Sequence, residues 1–136
     1  MDRPARRCAA PGSSGSFHAA SLEHTAALTH RALGDLETAA AAMDRSNRAR
    51  PTHERTHRAV FSGILAEMLL DLGRLDEACQ AWTTLLDEHA NVRCGRADSA
   101  VALMRARLRP HARIPATAAL LQRSGTGSQG RTANGP

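Results

Sequence analysis

The chain contains no tyrosine and no lysine, and only three of its 136 residues are aromatic. No segment alternates apolar and polar residues with period two, so β-strands have little to be built from. Cysteine is also scarce. Cys8, Cys79 and Cys94 are odd in number and include no CxxC pair, which argues against a secreted disulfide framework and for a reducing, cytoplasmic environment. No run approaches the ~20 apolar residues that span a bilayer. The basic residues near the N-terminus are followed by no apolar stretch, so neither a signal peptide nor a membrane partner is expected.

What the chain has instead is arginine and alanine. All 18 basic residues are Arg, and 27 residues are Ala, a bias toward GC-rich codons that points to a high-GC genome and weakens the Arg content as a sign of nucleic-acid binding. The formal charge of +5 and a pI near 10.8 would otherwise suggest a polyanionic partner. The charge is unevenly placed, however. Residues 60–92 hold Glu67, Asp71, Asp76, Glu77, Asp87 and Glu88 against Arg74, and residues 93–113 hold Arg93, Arg96, Arg105, Arg107, Arg109 and Arg113 against Asp98. Neighbouring segments of opposite sign are expected to neutralise each other.

Two stretches are too rich in Gly, Ser, Pro and Arg to join a core, so residues 1–16 and 124–136 are expected to be disordered. Residues 17–123 remain as one helical domain with a modest core. Within it the phrase Leu33-Gly34-Asp35-Leu36-Glu37-Thr38-Ala39 returns as Leu72-Gly73-Arg74-Leu75-Asp76-Glu77-Ala78. Ala27 pairs with Ala66, Ala42 with Ala81, and Met43 with Trp82 at the same offset. A period of this size indicates a helical array rather than one enclosed core.

The helices follow from periodicity and punctuation. A first helix is predicted over 17–33, capped by Ser16, with Leu22, Ala26, Thr29 and Leu33 on one face, and Gly34 ends it. Asp35 caps a second, whose inner stripe is Leu36, Ala39, Ala40, Met43 and Asn47, and Pro51 stops it. Thr52 is expected to cap a third, reaching Leu72 with the widest apolar stripe: Val60, Phe61, Ile64, Leu65, Met68, Leu69 and Leu72. A fourth carries Leu75, Ala78, Cys79, Trp82, Leu85 and Leu86. A fifth carries Ala97, Val101, Met104 and Leu108 before Pro110, and a short sixth begins near Pro115 and buries Leu120 and Leu121.

This spacing resembles the tetratricopeptide repeat. Gly34-Asp35-Leu36-x-x-Ala39 followed by Met43, Ser46 and Pro51 matches that family's turn and second helix except for its aromatic, and Gly73, Leu75, Ala78, Trp82 and Leu85 form a second copy. Leu65-Ala66-x-x-Leu69 falls where the family's first-helix motif lies. The resemblance implies antiparallel helix hairpins, an α-solenoid of five or six helices with a spacing of 39 in place of 34. The run 26–124 also resembles the C-terminal repeat region of actinobacterial helix-turn-helix transcriptional regulators, without the DNA-binding part.

His53-Glu54-Arg55-Thr56-His57 satisfies HExxH, with Glu77 at the distance of a third zinc ligand. The motif follows Pro51 directly and no strand is available to hold a substrate, while Glu77 starts the second helix of a repeat, where an acid favours the dipole. His53 and His57 are therefore read as a solvated helix start, and no metal, cofactor or catalytic residue is assigned. Trp82 is read as a core wedge, Cys79 as an inert buried thiol and Cys94 as an exposed loop residue. Arg105, Arg107 and Arg109 spread around a helix without interleaved aromatics, which fits a solvated face better than a phosphate track.

The expected function is non-enzymatic: a protein-interaction or regulatory module associated with transcription, engaging a protein partner or itself. DNA would be reached only through a separate helix-turn-helix part. By analogy with the repeat, the groove would be lined by His24, Leu28, Arg31, Val60, Ile64 and Glu67. A nucleic-acid-binding accessory protein acting through the Arg-rich C-terminal helix is the second reading, and a zinc peptidase at His53 and His57 the third.

Overall fold

Gly34 and Gly73 set the architecture. In the computed structural model, which describes residues 15–133 and their side chains from 19 to 125, both glycines take left-handed backbone, with φ of 86° and 79°. A Cβ at either would meet nothing within 4 Å, so the need is for the conformation and not for space. After helix α1 (Gly15–Ala32) the Gly34 amide bonds the Arg31 carbonyl and the Asp35 amide the His30 carbonyl. After α3 (Arg55–Asp71) the Gly73 amide bonds Leu70 and the Arg74 amide bonds Leu69. Both are Schellman caps, which close a helix and reverse the chain within two residues. The duplicated phrase is thus one C-terminal cap used twice.

The helices that follow are α2 (Leu36–Ala49) and α4 (Leu75–His89). Asp35 caps α2 by accepting the Thr38 amide at 3.2 Å. Arg74 has no such oxygen; its guanidinium instead holds Glu77 at 2.7 and 2.6 Å and reaches back to Glu37 of α2 at 3.3 Å. Pro51 ends α2 as expected, with Arg50 ahead of it in extended backbone. Helix α5 (Gly95–Leu108) passes through a 3-10 turn over Arg109–His111 at Pro110, and α6 (Pro115–Ala133) begins on Pro115.

Four expectations need correction. The residue that caps α3 is Glu54 and not Thr52, because the chain first makes a turn at Pro51 in which the Glu54 amide bonds the Pro51 carbonyl. Helix α1 begins at Gly15, so Ser16 lies inside it. Cys94 is buried, at 3% exposure, as the residue preceding α5. It is disulfide-bonded, while Cys79 is the free cysteine among the described residues. Helix α6 is also longer than the short element expected, its backbone staying helical past 124. The expected disordered segments 1–16 and 124–136 otherwise lie almost wholly outside the described side chains, although Ser124 is buried and accepts from Arg105 at 2.7 Å.

The six α-helices of the described residues pair in chain order into antiparallel hairpins, α1 with α2, α3 with α4 and α5 with α6, an all-α repeat array. Helix α3 is central and packs against α4, α2 and α5. Trp82 and Met43, the bulky residues of the two copies, are both fully buried and wedge the layers together with Met68, Leu85, Met104 and Leu108. The expected stripe of α1 faces the wrong way, however. Leu22 and Leu33 are 72% and 76% exposed, and the residues turned inward are Ala20 and Ala27. Small residues win there because α2 approaches closely: Ser46 of α2 donates to the Ala20 carbonyl at 2.8 Å.

The opposite charges of residues 60–92 and 93–113 meet in part, through Arg107. Arg107 of α5 binds both Glu67 and, at 2.6 Å, Asp71 of α3; Arg123 of α6 holds Asp87 of α4 at 2.7 Å. No described helix is long and apolar enough to cross a membrane.

Candidate functional site

Gly63 sits in the middle of α3, where a Cβ would lie 3.4 Å from the Ala100 Cβ of α5 and 3.6 Å from a Leu85 methyl. With two such small residues opposed, the helices approach closely and leave a concavity above the contact. It measures about 870 Å³ and is walled by Val60, Ile64 and Glu67 of α3 and by Arg96, Ser99, Ala100 and Leu103 of α5. Its floor is aliphatic, and Leu103 stands 49% exposed on its rim.

The two ends carry opposite charge. Glu67 lies at one end, buried and bound by Arg107. Its carboxyl is nevertheless held above the usual range, because burial outweighs the attraction of Arg107, and Arg31 adds a further attraction. Arg96 lies at the other end, exposed and within electrostatic reach of His24 and His57. Eleven residues of helix separate Arg96 from Arg107, or about 16 Å along the axis.

Of the residues expected to line a groove, Val60, Ile64 and Glu67 do so together. The opposite wall comes from α5, not from His24, Leu28 and Arg31 of α1. His24 is turned into the protein, its ring 4.2 Å from Phe61; Leu28 is 41% exposed, and Arg31 is exposed. The interval between α1 and α3 is filled where a groove was expected. His57 stacks on Phe61 at 5.3 Å, and the buried Arg50 guanidinium lies 4.8 Å over the same ring. Both imidazoles are held below the ordinary histidine range, first by burial and then by Arg50.

Sequence reasoning missed the α5 wall. The signal was present in Arg96, Ser99, Ala100, Leu103 and Arg107, which recur at helical spacing as a second stripe beside the buried Ala97, Met104 and Leu108. Gly63 inside an otherwise strong helical run marked the close approach that places this stripe opposite α3.

The HExxH residues are dispersed by the start of α3 at Arg55. His53 precedes the helix and is exposed, Glu54 bonds Arg50 at 3.2 Å and approaches His57 at 3.6 Å, and Glu77 is held by Arg74. Two imidazoles on one helical face are therefore not formed. Among the described residues no group of three His, Cys, Asp or Glu side chains is placed to hold a metal ion. Two arginines of α5 are also engaged internally: Arg105 donates to the Leu121 carbonyl at 2.9 Å and Arg107 is shared between Glu67 and Asp71. Cys79 is buried, its thiol pushed up by that burial and 3.9 Å from the Thr117 hydroxyl. A second cleft of about 540 Å³ lies among α2, α3 and α4. Its charged lining is largely consumed in ion pairs such as Arg74 with Glu37 and Arg48 with Asp44.

A scan of protein-family models, a search of curated proteins and a search of solved structures each return no match. The class that fold and groove define is an all-helical repeat array with an open aliphatic groove between its second and third hairpins.

Proposed function

We propose that the chain is a non-catalytic, tetratricopeptide-like interaction module that holds an aliphatic segment of a protein partner between α3 and α5. The single observation that carries this reading is the groove itself, open and apolar along Val60, Ile64, Ala100 and Leu103 with an unpaired-sign contrast between Arg96 and Glu67 at its ends. An aliphatic side chain fits the floor, and an acidic group of the same segment fits the Arg96 end. Glu67 is already neutralised by Arg107, so Arg96 is the charge that orients the guest.

The likeness of the repeats to the C-terminal part of helix-turn-helix regulators supports a regulatory setting. There the partner would be a separate DNA-binding protein, and DNA would be reached only through it. The internal engagement of Arg105 and Arg107 gives a direct nucleic-acid role no support of its own.

Selection from a random peptide display library tests the reading with the full chain as bait. Enriched peptides should pair aliphatic with acidic residues and should lose at least tenfold in affinity for Ile64→Glu and Leu103→Glu. Peptides that bind these two variants as tightly as the wild type would exclude the groove.

A further inference from the structure

The groove between α3 and α5 has the dimensions of a helix. Its α3 wall places Val60, Ile64 and Glu67 at i, i+4 and i+7, and its α5 wall places Arg96, Ser99 and Leu103 at i, i+3 and i+7. Each wall is one helical stripe two turns long, or about 10.5 Å. The volume of about 870 Å³ spread over that length gives a cross-section of about 80 Å². A helix of ~10 Å diameter occupies about that area, whereas an extended strand, ~4.8 Å by ~10 Å, fills little more than half of it.

The other side of the same two walls shows what they accept. Helix α4 packs against both α3 and α5 and contributes no residue to the groove. Its Leu85 comes within 3.6 Å of the Cβ position of Gly63, the point that the Ala100 Cβ of α5 approaches to 3.4 Å. Helix α4 is thus nested in the α3–α5 seam from beneath. It runs antiparallel to both walls, because α3 and α5 are parallel: Gly63 meets Ala100, and a few residues further on Glu67 and Asp71 meet Arg107.

Charge selects the direction of a guest on the open side. The first residues of α3 and α5, Arg55 and Gly95, stand toward the Arg96 end of the groove, so two positive helix ends are added to the exposed Arg96 guanidinium there. Among the described residues Arg96 forms no ion pair. A helix lying antiparallel to the walls, as α4 does, brings its negative C-terminal end to this place. A parallel helix would bring its positive end.

We infer that the guest of this groove is an amphipathic α-helix of a protein partner, antiparallel to α3 and α5, with a carboxylate side chain in its last turn against Arg96. The inference rests on the groove reading above and adds the guest's conformation, direction and sequence pattern. In the register of Gly63 with Ala100, Ile64 and Leu103 stand at nearly one level, Val60 lies about a turn below, and Arg96 at the foot leans further toward the N-terminus of its helix. The guest therefore carries aliphatic residues at i and i+4 and Asp or Glu at i+7 or i+8.

The test uses the full chain and a display library of helix-forming, alanine-rich peptides with varied positions in the first, middle and last turns. Enriched peptides should show aliphatic residues at i and i+4 with the acid in the last turn. Made with an amidated C-terminus and titrated by fluorescence anisotropy, they should bind at least tenfold tighter than the same composition with the acid moved to the first turn. Proline at a central, solvent-facing position should also cost at least tenfold. Arg96→Glu should lose the acidic peptide and gain at least tenfold for its counterpart with Lys in the acid's place. Equal binding of the proline form or of the first-turn acid, with binding still lost in Ile64→Glu, would overturn the helical guest and leave the groove standing. So would failure of this library to enrich where the random library does. Peptides that bind Ile64→Glu as tightly as the wild type would overturn the groove itself.

Discussion

Replacing Arg107 by alanine should cost this fold far more than its surface position suggests, and the cost should depend on pH. The Arg107 side chain is a third exposed, but its partner Glu67 is only 9% exposed on α3. Breaking a fully buried pair costs about 3–5 kcal/mol, because a charge is left without compensation. Solvent access to Arg107 reduces this to about 2 kcal/mol, and the more exposed contact with Asp71 contributes a few tenths of a kcal/mol. A loss of ~2 kcal/mol moves a urea midpoint by about 1–2 M for a domain of this size.

The pH dependence follows from Glu67. Burial, the largest influence, holds its folded pKa above the ordinary value, so ionised Glu67 opposes folding. That opposition is absent below the unfolded pKa of about 4.3 and grows as pH rises through the folded value. Arg107→Ala removes a group that pulls the folded value down, so its penalty should be complete at neutral pH. It should fade as Glu67 becomes neutral in both states. The assay is urea unfolding of wild type, Arg107→Ala, Glu67→Gln and the double variant at neutral and acid pH. The double variant should recover most of the loss at neutral pH. A cost below about 0.5 kcal/mol, or one equal at both pH values, would refute the assignment of a buried charge held by Arg107.

The two imidazoles packed on Phe61 give the opposite slope. Their folded pKa values are lowered by burial first and then by Arg50, with Arg96 adding to both and Glu54 opposing the shift at His57. Stability should therefore be level above the ordinary histidine range of about 6.5 and fall as pH drops below it, where the unfolded chain takes up protons that the fold refuses. Denaturant titrations at a series of pH values should show this decline flatten in His24→Asn/His57→Gln. Gly34→Ala and Gly73→Ala should each cost about 1–2 kcal/mol by calorimetry, although neither site is crowded, because only the left-handed backbone is violated. Trp82→Ala should cost about 3–5 kcal/mol. Trp82→Phe should cost less, since the buried Nε1 has no hydrogen-bond partner to lose.

Those punctuation marks were the legible part of the sequence. Gly34, Gly73, Pro51, Pro110 and Pro115 each act at the residue where they stand, through backbone constraints that need no tertiary context. The wedges Met43 and Trp82 were legible because only large residues fill the space between layers. Helix α1 was not legible by the same rule. Hydrophobic periodicity selects the greasiest stripe, Leu22 to Leu33, whereas the interface with α2 selects for closeness, which Ala20 and Ala27 provide and leucine would prevent. HExxH carries no ligand geometry for a related reason, since such a spacing needs both histidines in one helix, and the turn after Pro51 delays α3 until Arg55.

The position of the groove follows from side-chain volume at two successive intervals between hairpins. Between α1 and α3 the space is occupied by Phe61 with His24, His57 and Arg50 around its ring. Between α3 and α5 the opposed residues are Gly63 and Ala100, and the space above them stays open. Enlarging Ala100 should therefore convert the second interval into the kind found at the first. Ala100 is only partly buried and lines the concavity, so the added carbons of Ala100→Leu have the concavity to enter. The variant should keep the wild-type melting temperature within a few degrees, roughly 1 kcal/mol or less. It should also lose the peptides selected by the wild type, as Ile64→Glu does. Retained peptide binding by a folded Ala100→Leu variant would show that the guest sits elsewhere, and the interval between α1 and α3, crossed by exposed Leu28, would then be the surface to test.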